Sequence, residues 1–587
     1  MPAFEGAREA VHRLRHWGEA GNAALAAGLC ALFGALVLRP WRGALDVPYA
    51  YDGDVNEYHA AIKGILDHGW IWHNANLGAP GQQQSFDYPL LGGDPLNVLV
   101  LKFLGLFSSD SATVMNVFFL LTFPAIGLAA YLVLRRLTLS VPIAIACSIL
   151  YALLPYHFVR GEYHLMLSAY YAVPLGAYLV LAVLADRPLF AGRRAALGTV
   201  ALCAVIAFAS ASYYYSVFTV VLVAGGAALR ALATRNWRPL APAGGVVAVM
   251  LALSLLTLLP SFVYWAGHGT NQGVGHREAW ESELYGLKFT QLVLPIEHHR
   301  IGALAHARET YDNKFPRTEA STSTALGIVA SAGFLFLLAL CLVQLVSPGR
   351  RLATALYGNV ATATLIALLF AWAGGLGFAV AVVEPQIRSW NRLSIFIGFF
   401  ALLAVGLGLD RALVALRPRR AGAALGAALV FGVLAIGALD QTSGAYEPAY
   451  AAVAADYRSD GDFVGAIEAQ LPSGAMIFQL PHRSFPEAPP LIRMADYDLF
   501  RGYLHSHDVR WSYSIVKGRG DDWSASFARE PIQQMVRDVR AAGFAGIYLD
   551  RFGYQDGGAS IDTELRKAVG RTPIASPDER LFFYRLS

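Results

Sequence analysis

The sequence predicts a polytopic α-helical membrane protein with about eleven transmembrane helices and a small C-terminal extracytoplasmic α/β domain. Of its 587 residues, 56% are hydrophobic and only 15% are charged, which is too apolar for a soluble enzyme of this length. Apolar runs long enough to cross about 30 Å of hydrocarbon recur as far as residue 439. Beyond that point polar and turn residues interrupt the apolar runs, as in a soluble domain.

The predicted spans are the apolar runs that reach, or nearly reach, the length of a membrane helix. They lie near residues 21–38, 112–134, 141–156, 166–185, 195–210, 215–229, 243–264, 325–346, 353–383, 393–409 and 421–439. The first run ends at Leu38-Arg39-Pro40-Trp41 without the small-residue pattern of a signal-peptide cleavage site, so we expect a retained anchor. An odd number of spans places the two termini on opposite sides of the membrane.

Arginine residues in the short connections predict the orientation. They recur on alternate connections, at Arg8, Arg13, Arg15, Arg135, Arg136, Arg187, Arg193, Arg194, Arg230, Arg235, Arg238, Arg350, Arg351, Arg411, Arg417, Arg419 and Arg420. Basic residues near span ends mark the cytoplasmic side. We therefore expect a multi-pass protein of the bacterial cytoplasmic (inner) membrane, with a cytoplasmic N-terminus and a periplasmic, extracytoplasmic C-terminal domain.

The same pattern divides the chain into two predicted domains. Residues 1–439 form the helical membrane domain, and residues 440–587 form the extracytoplasmic α/β domain. The outer face of the membrane domain has two long loops, at residues 41–110 and 265–324. Loops of this length are usually functional when they lack regular structure of their own, so we expect the site on this face.

Short apolar runs in the C-terminal part are typical of strands. They are MIFQL (476–480), AGIYLD (545–550) and LFFYRL (581–586). Residues 461–471, before the first of these runs, and residues 530–542, between the first and the second, have helical periodicity. Strands alternating with helices predict a small α/β domain of ordinary size.

Acidic residues crowd the start of the first outer loop. In YDGDVNEYH (51–59), Asp52, Asp54, Glu57 and His59 precede an amphipathic helical stretch. Sugar transfer to a hydroxyl needs a group that takes the hydroxyl proton, and a carboxylate at the interface is suited to this. We predict Asp54 as this base, with Glu57 and His59 as substrate-binding candidates. The alternative is that Asp52 and Asp54 cap the helix.

A first span followed by Asp-Gly-Asp at the start of a long outer loop resembles the GT-C superfamily of membrane glycosyltransferases, with Gly53-Asp54 as the matching core. The segment SFDYPLLGGDPLN (85–97) also looks like the YfhO-like group of bacterial membrane proteins. In that superfamily the acidic residue acts as catalytic base or, in the oligosaccharyltransferase branch, helps hold a divalent metal. The resemblance implies a catalytic role for Asp54 and, second to it, for Asp52.

Cations on the outer face are candidates for binding a phosphate. QIRSWNRLS (386–394) places Arg388 and Arg392 one helical turn apart at the start of the tenth predicted span. A polyprenyl-phosphate donor needs such groups to bind its phosphate and to stabilise that phosphate as it departs. We predict both arginines as phosphate ligands. The alternative is interfacial snorkelling beside Trp390.

The second outer connection adds further polar candidates. VRGEYHL (159–165) contains Arg160, a third predicted phosphate ligand, together with Glu162 and His164, which we predict to contact substrate. Interfacial anchoring is again the alternative. No cofactor is expected, although Asp52, Asp54 and Glu162 form a set of carboxylates able to hold a divalent metal.

Two histidines in the second long loop are the remaining candidates. In IEHHR (296–300), His298 and His299 are suited to binding a phosphate or a sugar hydroxyl. A zinc site is disfavoured because adjacent loop histidines lack the fixed spacing of a ligand pair on a helix.

These residues predict a membrane glycosyltransferase that moves a sugar from a polyprenyl-phosphate donor to a hydroxyl of a glycan or lipid acceptor, with inversion. A nucleotide-sugar donor is not expected, because nucleotide sugars are cytosolic and the acidic and basic groups face outward. The formal charge of +4 gives no reason to expect nucleic acid as a partner. The alternatives are a lipid or polysaccharide transporter or flippase, marked by charged or broken mid-membrane helices, and a non-enzymatic envelope assembly protein.

Overall fold

The computed structural model describes residues 2–347, 354–418, 420–520 and 524–586, with side chains from Gly18 onward. Some of the arginines used to predict the orientation therefore lie outside the described side chains, namely Arg8, Arg13, Arg15, Arg350, Arg351 and Arg419. The chain first forms a bundle of helices and then a smaller layer of helices on a mixed sheet.

The first part of the chain, up to Gln441, is helical. Its helices are α1 (Pro2–Leu38), α2 (Asp54–His68), α3 (Pro95–Leu104), α4 (Ser111–Arg136), α5 (Val141–Ala152), α6 (Pro155–Arg160), α7 (Leu165–Ser168), α8 (Ala172–Leu184), α9 (Arg193–Phe208), α10 (Tyr214–Thr234), α11 (Leu240–His268), α12 (Glu281–Leu284), α13 (Phe289–Val293), α14 (Gly302–Lys314), α15 (Ala320–Ser323), α16 (Gly327–Val346), α17 (Ala355–Ala371), α18 (Gly377–Val383), α19 (Ser394–Leu416) and α20 (Gly422–Gln441).

The bundle confirms the predicted fold class of a polytopic helical membrane protein. Within the described ranges, eight helical segments are long and apolar enough to cross a membrane. They are Gly18–Leu38, Ser111–Arg136, Val141–Arg160, Tyr214–Thr234, Leu240–His268, Gly327–Val346, Trp390–Leu416 and Gly422–Gln441. Helices α3, α8 and α17 are apolar but shorter. Each of the predicted spans overlaps a helix of the bundle.

The ninth predicted span, residues 353–383, is divided in the structure. Helix α17 ends at Ala371, and a turn containing Gly374 with a φ of +73° separates it from α18. The second long loop bonds to this break, because Leu287 N donates to Ala371 O at 2.7 Å and Ala373 N donates to Leu287 O at 3.1 Å. The Gly374-Gly375 pair therefore lies where a loop meets the helix end.

The last part of the chain is an α/β layer that follows the predicted pattern. Its helices are α21 (Tyr450–Glu468), α22 (Phe500–His505), α23 (Ser524–Phe527), α24 (Ile532–Ala541) and α25 (Ala559–Val569). The first long loop contains β1 (His73–Asn74) and β2 (Gln83–Gln84), and the tail contains β3 (Met476–Leu480), β4 (Arg510–Trp511), β5 (Phe544–Asp550), β6 (Ile574–Ala575) and β7 (Leu581–Arg585). The tail sheet has the order β4-β3-β5-β7-β6, with β3 parallel to both neighbours and β7 antiparallel to both of its own.

Both faces of the tail sheet are covered, which explains why its central strands are almost wholly apolar. Ile477 and Tyr548 belong to a core that includes residues of α21 and α22. Phe478 and Ile547 belong to a second core with residues of α24 and α25.

The first long loop and the tail pack together at one end of the bundle. Leu77 pairs with Trp511 as a bridge beside the edge strand β4. Asp87 accepts hydrogen bonds from Arg519 Nε at 2.7 Å and from Trp265 Nε1 at 2.8 Å, which joins both long loops to the tail. We call these three segments, residues 41–110, 265–324 and 442–586, the cap.

The predicted orientation places the cap outside the cell. In a Cys341→Ala background, in which the remaining cysteines are buried, Ser473→Cys in the cap and Ala191→Cys in a basic connection are both at exposed positions. A membrane-impermeant maleimide added to intact cells is expected to label Ser473→Cys only. Lysed cells provide the control, since both variants should then react. Labelling of Ala191→Cys in intact cells would reverse the orientation.

Candidate functional site

Asp54 is the first residue of α2, just after the chain leaves the first span. The helix is preceded by Gly53, whose φ of 52° and ψ of −137° are readily adopted only by glycine. Gly53 is the N-cap and contributes no side chain. Asp52 accepts a hydrogen bond from the hydroxyl of Tyr163 at 2.5 Å, and the Asp54 carboxylate lies 3.5 Å from Nε2 of His164. Both carboxylates therefore contact the segment that follows α6.

The surroundings of Asp54 adjust its basicity. The pKa of Asp54 is raised to about 6, because partial burial and the charge of Glu487 raise it more than the charges of Arg392 and Arg160 lower it. Burial, Arg160 and Arg392 lower the pKa of His164 well below its ordinary value, so this imidazole is neutral. Since 43% of the Asp54 side chain is exposed, a substrate can reach the carboxylate. A base with a pKa near 6 is ionised at neutral pH yet still accepts a proton.

Arg160 is a buried cation at the end of α6. Its side chain is 4% exposed and forms an ion pair with the carboxylate of Glu319. Its Nη2 also donates to the hydroxyl of Ser323 at 3.3 Å, while its Nε has no hydrogen-bond partner among the described residues. A guanidinium held in this way keeps donor capacity for a further anion.

Arg392 is the second cation of the site. It lies in a short 3-10 turn, Trp390–Leu393, that leads directly into α19. Its guanidinium carbon lies 4.1 Å from the centre of the Tyr214 ring, and its Nε is buried with no hydrogen-bond partner in the described part of the chain. Cation–π contact with Tyr214 holds the group without consuming its hydrogen-bond donors.

Glu319 links the two cations. It lies immediately before α15, and its second carboxylate oxygen accepts from Asn391 Nδ2 at 2.5 Å. Burial alone would raise the pKa of Glu319, but the charges of Arg160 and Arg392 and the hydrogen bonds from Arg160 and Asn391 lower it to about 2. The site thus contains two guanidinium groups, one permanently ionised carboxylate and Asp54.

Arg388 occupies a different place from Arg392. Its guanidinium forms an ion pair with Glu281 and stacks at 4.6 Å on the ring of Tyr285. Both partners belong to the second long loop. Arg388 therefore anchors that loop, whereas Arg392 and Arg160 are the arginines whose charges act on Asp54.

Glu162 and Glu57 are both buried carboxyl groups, and Glu57 is three residues after Asp54. Glu162 accepts from the backbone N–H of Tyr49 at 2.8 Å, and burial raises its pKa to about 8. Glu57 lies one turn after Asp54, where burial and then the charge of Asp54 raise its pKa well above the ordinary value. Both have an oxygen without a hydrogen-bond partner among the described residues. Through its bond with Tyr49, Glu162 holds the segment that leads into α2.

The remaining histidine candidates have structural partners. His59 is buried, its Nε2 lies 2.8 Å from the hydroxyl of Ser111, and burial lowers its pKa to about 3. His299 accepts from Ile301 N through Nδ1, so its Nε2–H donates to Asp440 at 3.1 Å. His298 is exposed, and its carbonyl accepts from the hydroxyl of Ser443 at 2.9 Å. None of the three histidines is among the groups named above that shift the pKa of Asp54.

The tail holds the backbone on both sides of Asp54. Arg501 Nη2 donates to the carbonyl of Tyr51 at 2.7 Å, and its other nitrogens bond to Asp460 at 3.0 Å and to Asp498 at 3.3 Å. Asp498 also accepts from Asn56 at 3.4 Å, so the network reaches the first turn of α2. Its members are all buried, and Arg580 joins the network by donating to Asp498 at 2.7 Å and to Asp550 at 2.6 Å.

Several residues of the site are not apparent from the sequence. Glu319 and Glu487 come from distant segments and lie in no recognisable motif, and Asn391 lies in QIRSWNRLS (386–394) without any sign in the sequence that it donates to Glu319. The one local signal is that the carboxylate of Glu319 precedes a span, much as that of Asp54 follows one. Among the described residues, no group of three or more His, Cys, Asp or Glu side chains is arranged to hold a metal ion.

No protein-family model matches the chain, and no curated protein matches it either. Solved structures with a similar backbone include ArnT from Cupriavidus metallidurans bound to undecaprenyl phosphate. The similarity to ArnT has 13% identity over 95% of this chain and 98% of ArnT, with a TM-score of 0.46. Another is the archaeal oligosaccharyltransferase AglB from Archaeoglobus fulgidus, in complex with an inhibitory peptide and a dolichol-phosphate, at 11% identity over 95% of this chain and 74% of AglB, with a TM-score of 0.46. At these values the function rests on the chemistry of the site, and the YfhO-like grouping stays a prediction.

The fold and the site together define a multi-pass membrane protein with a polar site at the capped end of its bundle. The site combines an accessible carboxylate on α2 with two guanidinium groups whose own partners leave donors free.

Removing Arg501 is expected to destabilise the protein. Arg501→Met leaves the buried carboxylates of Asp460 and Asp498 undercompensated, which costs about 3 to 5 kcal/mol for a buried pair. Arg537→Met is the matched control, because Arg537 is exposed and its hydrogen bond among the described residues is to Gln534, so we expect a change below about 0.5 kcal/mol. Unfolding in detergent followed by tryptophan fluorescence measures both, and equal stability of the two variants would contradict the role of the network.

Proposed function

We propose that this protein is a membrane glycosyltransferase that moves a sugar from a polyprenyl-phosphate donor to an acceptor hydroxyl on the extracytoplasmic side of the cytoplasmic membrane. The observation that carries this proposal is that Arg160 and Arg392 lie near enough to Asp54 for their charges to lower its pKa, while each keeps an Nε without a hydrogen-bond partner among the described residues. Base and phosphate ligands are the two kinds of group that transfer from a sugar phosphate requires.

The arginines fit a departing lipid phosphate better than they fit a structural role alone. Within the described residues Glu319 is the carboxylate that forms an ion pair with Arg160, and neither guanidinium is bonded to Asp54. A phosphate bound between the two arginines would use the unpartnered nitrogens of both side chains. The charge that develops on the leaving oxygen is then met by donors that are already in place.

The position of Arg392 favours a lipid-linked donor. Its turn leads directly into α19, which belongs to the membrane-spanning segment Trp390–Leu416. A phosphate held there lies at the level of the interface, with hydrocarbon beside it. A polyprenyl chain attached to that phosphate would stay in the hydrocarbon of the membrane.

The proposed reaction is a direct displacement at the anomeric carbon. Asp54 takes the proton of the acceptor hydroxyl as its oxygen forms a bond to that carbon, and the bond from the carbon to the phosphate oxygen breaks. The electron pair leaves with the lipid phosphate, which Arg160 and Arg392 stabilise. Attack from the side opposite the leaving group inverts the configuration. His164, being neutral, adds no competing positive charge beside the base.

Asp54→Asn is expected to lower sugar transfer by about 10²- to 10⁴-fold, because the amide cannot accept the hydroxyl proton. Radiolabelled sugar transfer from polyprenyl-phosphate donors in membranes measures it, and the same assay after EDTA treatment is expected to show no loss. Asp52→Asn is the comparison, since Asp52 is bonded to Tyr163, and its loss should be smaller. Full activity of Asp54→Asn would remove Asp54 as the base.

The transfer rate is expected to rise with pH through about 6 and then level. Asp54 is active when ionised, and its raised pKa of about 6 makes the rate fall roughly tenfold per unit below that pH. Glu487→Gln removes a negative charge that raises this pKa, so the midpoint should move to lower pH. Glu564→Gln, an exposed carboxylate on α25, should leave it unchanged. A midpoint that is the same in Glu487→Gln as in the native chain would contradict the assignment of Asp54 as the base.

Arg392→Gln is expected to lower transfer by about 10²- to 10³-fold, because the departing phosphate loses a preorganised cation. Arg388→Gln should lower it far less, since that guanidinium is engaged by Glu281. Melting temperatures of both variants control for folding. Equal losses of transfer activity in the two variants would indicate that Arg388 also binds the phosphate.

A further inference from the structure

A recess on the side of the bundle shares no lining residue with the Asp54 site. It has a volume of about 280 Å³ and opens between the ends of α1 and α20 that face the cap. Both helices pack against α5, and Leu153, at the end of α5, lies at the bottom of the recess. The opening therefore faces the region where membrane lipid surrounds the bundle.

The walls of the recess are apolar. Phe33, Leu36 and Val37 line it from α1, and Ala438 and Leu439 line it from α20. Leu36 is 50% exposed and Leu439 is 57% exposed, as expected for side chains that contact hydrocarbon. A groove of this kind between two helices fits an acyl chain.

The rim at the cap end of the recess is basic. Arg300 donates to the carbonyl of Thr442 at 3.1 Å and to its hydroxyl at 3.3 Å, and no carboxylate pairs with it in the described part of the chain. Arg39 and Arg42 share one partner, Glu447, at 2.9 and 2.8 Å. Arg39 and Arg300 both line the recess.

The rim keeps a positive charge after its neighbours are counted. Three guanidinium groups, from Arg39, Arg42 and Arg300, face the carboxylate of Glu447. Asp440, two residues before Thr442, accepts from His299 and from the backbone of Ile328 and does not line the recess. Counting both carboxylates still leaves one net positive charge.

We propose that this recess binds one anionic phospholipid from the leaflet on the side of the cap. Its phosphate lies beside Arg39 and Arg300, and one acyl chain lies between α1 and α20. Snorkelling accounts for arginines at this level but not for an apolar recess directly beneath them. A phospholipid matches both parts at once, because it joins an anion to a hydrocarbon chain at the interface.

The first test is native mass spectrometry of the full chain in detergent, titrated with phosphatidylglycerol or phosphatidylcholine. The native chain is expected to bind one phosphatidylglycerol that the double variant Arg39→Gln/Arg300→Gln binds about 30-fold more weakly, a factor of about five per arginine. Arg193→Gln/Arg194→Gln carries the same net charge at exposed positions on another connection and should retain that lipid. Equal binding by both double variants, or of both lipids, would overturn the proposal.

A second variant tests the chain-binding part. Leu439→Trp fills the recess but leaves both arginines, and it should lose the bound phosphatidylglycerol. Leu345→Trp, on α16 and 78% exposed, adds the same bulk elsewhere and should retain it. Retention by Leu439→Trp, or displacement of the lipid by inorganic phosphate alone, would mean that no chain is seated and would overturn the proposal. Equally tight binding of polyprenyl phosphate in competition would assign the recess to the donor instead and likewise overturn it.

Discussion

Two guanidinium groups beside a membrane must be compensated without being neutralised completely, and this requirement organises the capped end of the protein. Arg160 and Arg392 are held by Glu319, by the hydroxyl of Ser323 and by the ring of Tyr214. These partners fix the positions of the cations yet leave donors unused. The second long loop supplies Glu319 and Ser323, so the loop must fold back on the bundle for Arg160 to be held in place.

The sequence predicts the helical part well because the physical signal is local. Spans of apolar residues are recognised one at a time, and the strands at residues 476–480 and 581–586 are recognised for the same reason. Asp54 stands out because it belongs to an acidic cluster that follows the first span, and the arginines at 160 and 392 stand out because they lie at span ends. The pairing of Arg388 with Glu281 is different, since it depends on how a loop of about sixty residues folds, which no periodicity records.

The partners that sequence reasoning misses are all long-range. Glu319 bonds to a residue 159 positions earlier and to one 72 positions later, and Glu487 acts on Asp54 from the tail. Each is an ordinary acidic residue in an ordinary loop, so only the tertiary structure distinguishes it. The same holds for Arg501, whose bonds to Asp460 and to the carbonyl of Tyr51 join α22 to the first long loop.

The bond between Arg501 and Tyr51 spans 450 residues of chain, and this has a consequence for biosynthesis. A growing chain contains the segment with Asp54 soon after its first span has been made. The groups that hold this segment in place are synthesised only after every later span. A partly made chain therefore carries Asp54 without the contacts that fix the neighbouring backbone, and the site is complete only when the tail has been made and has packed against the first long loop.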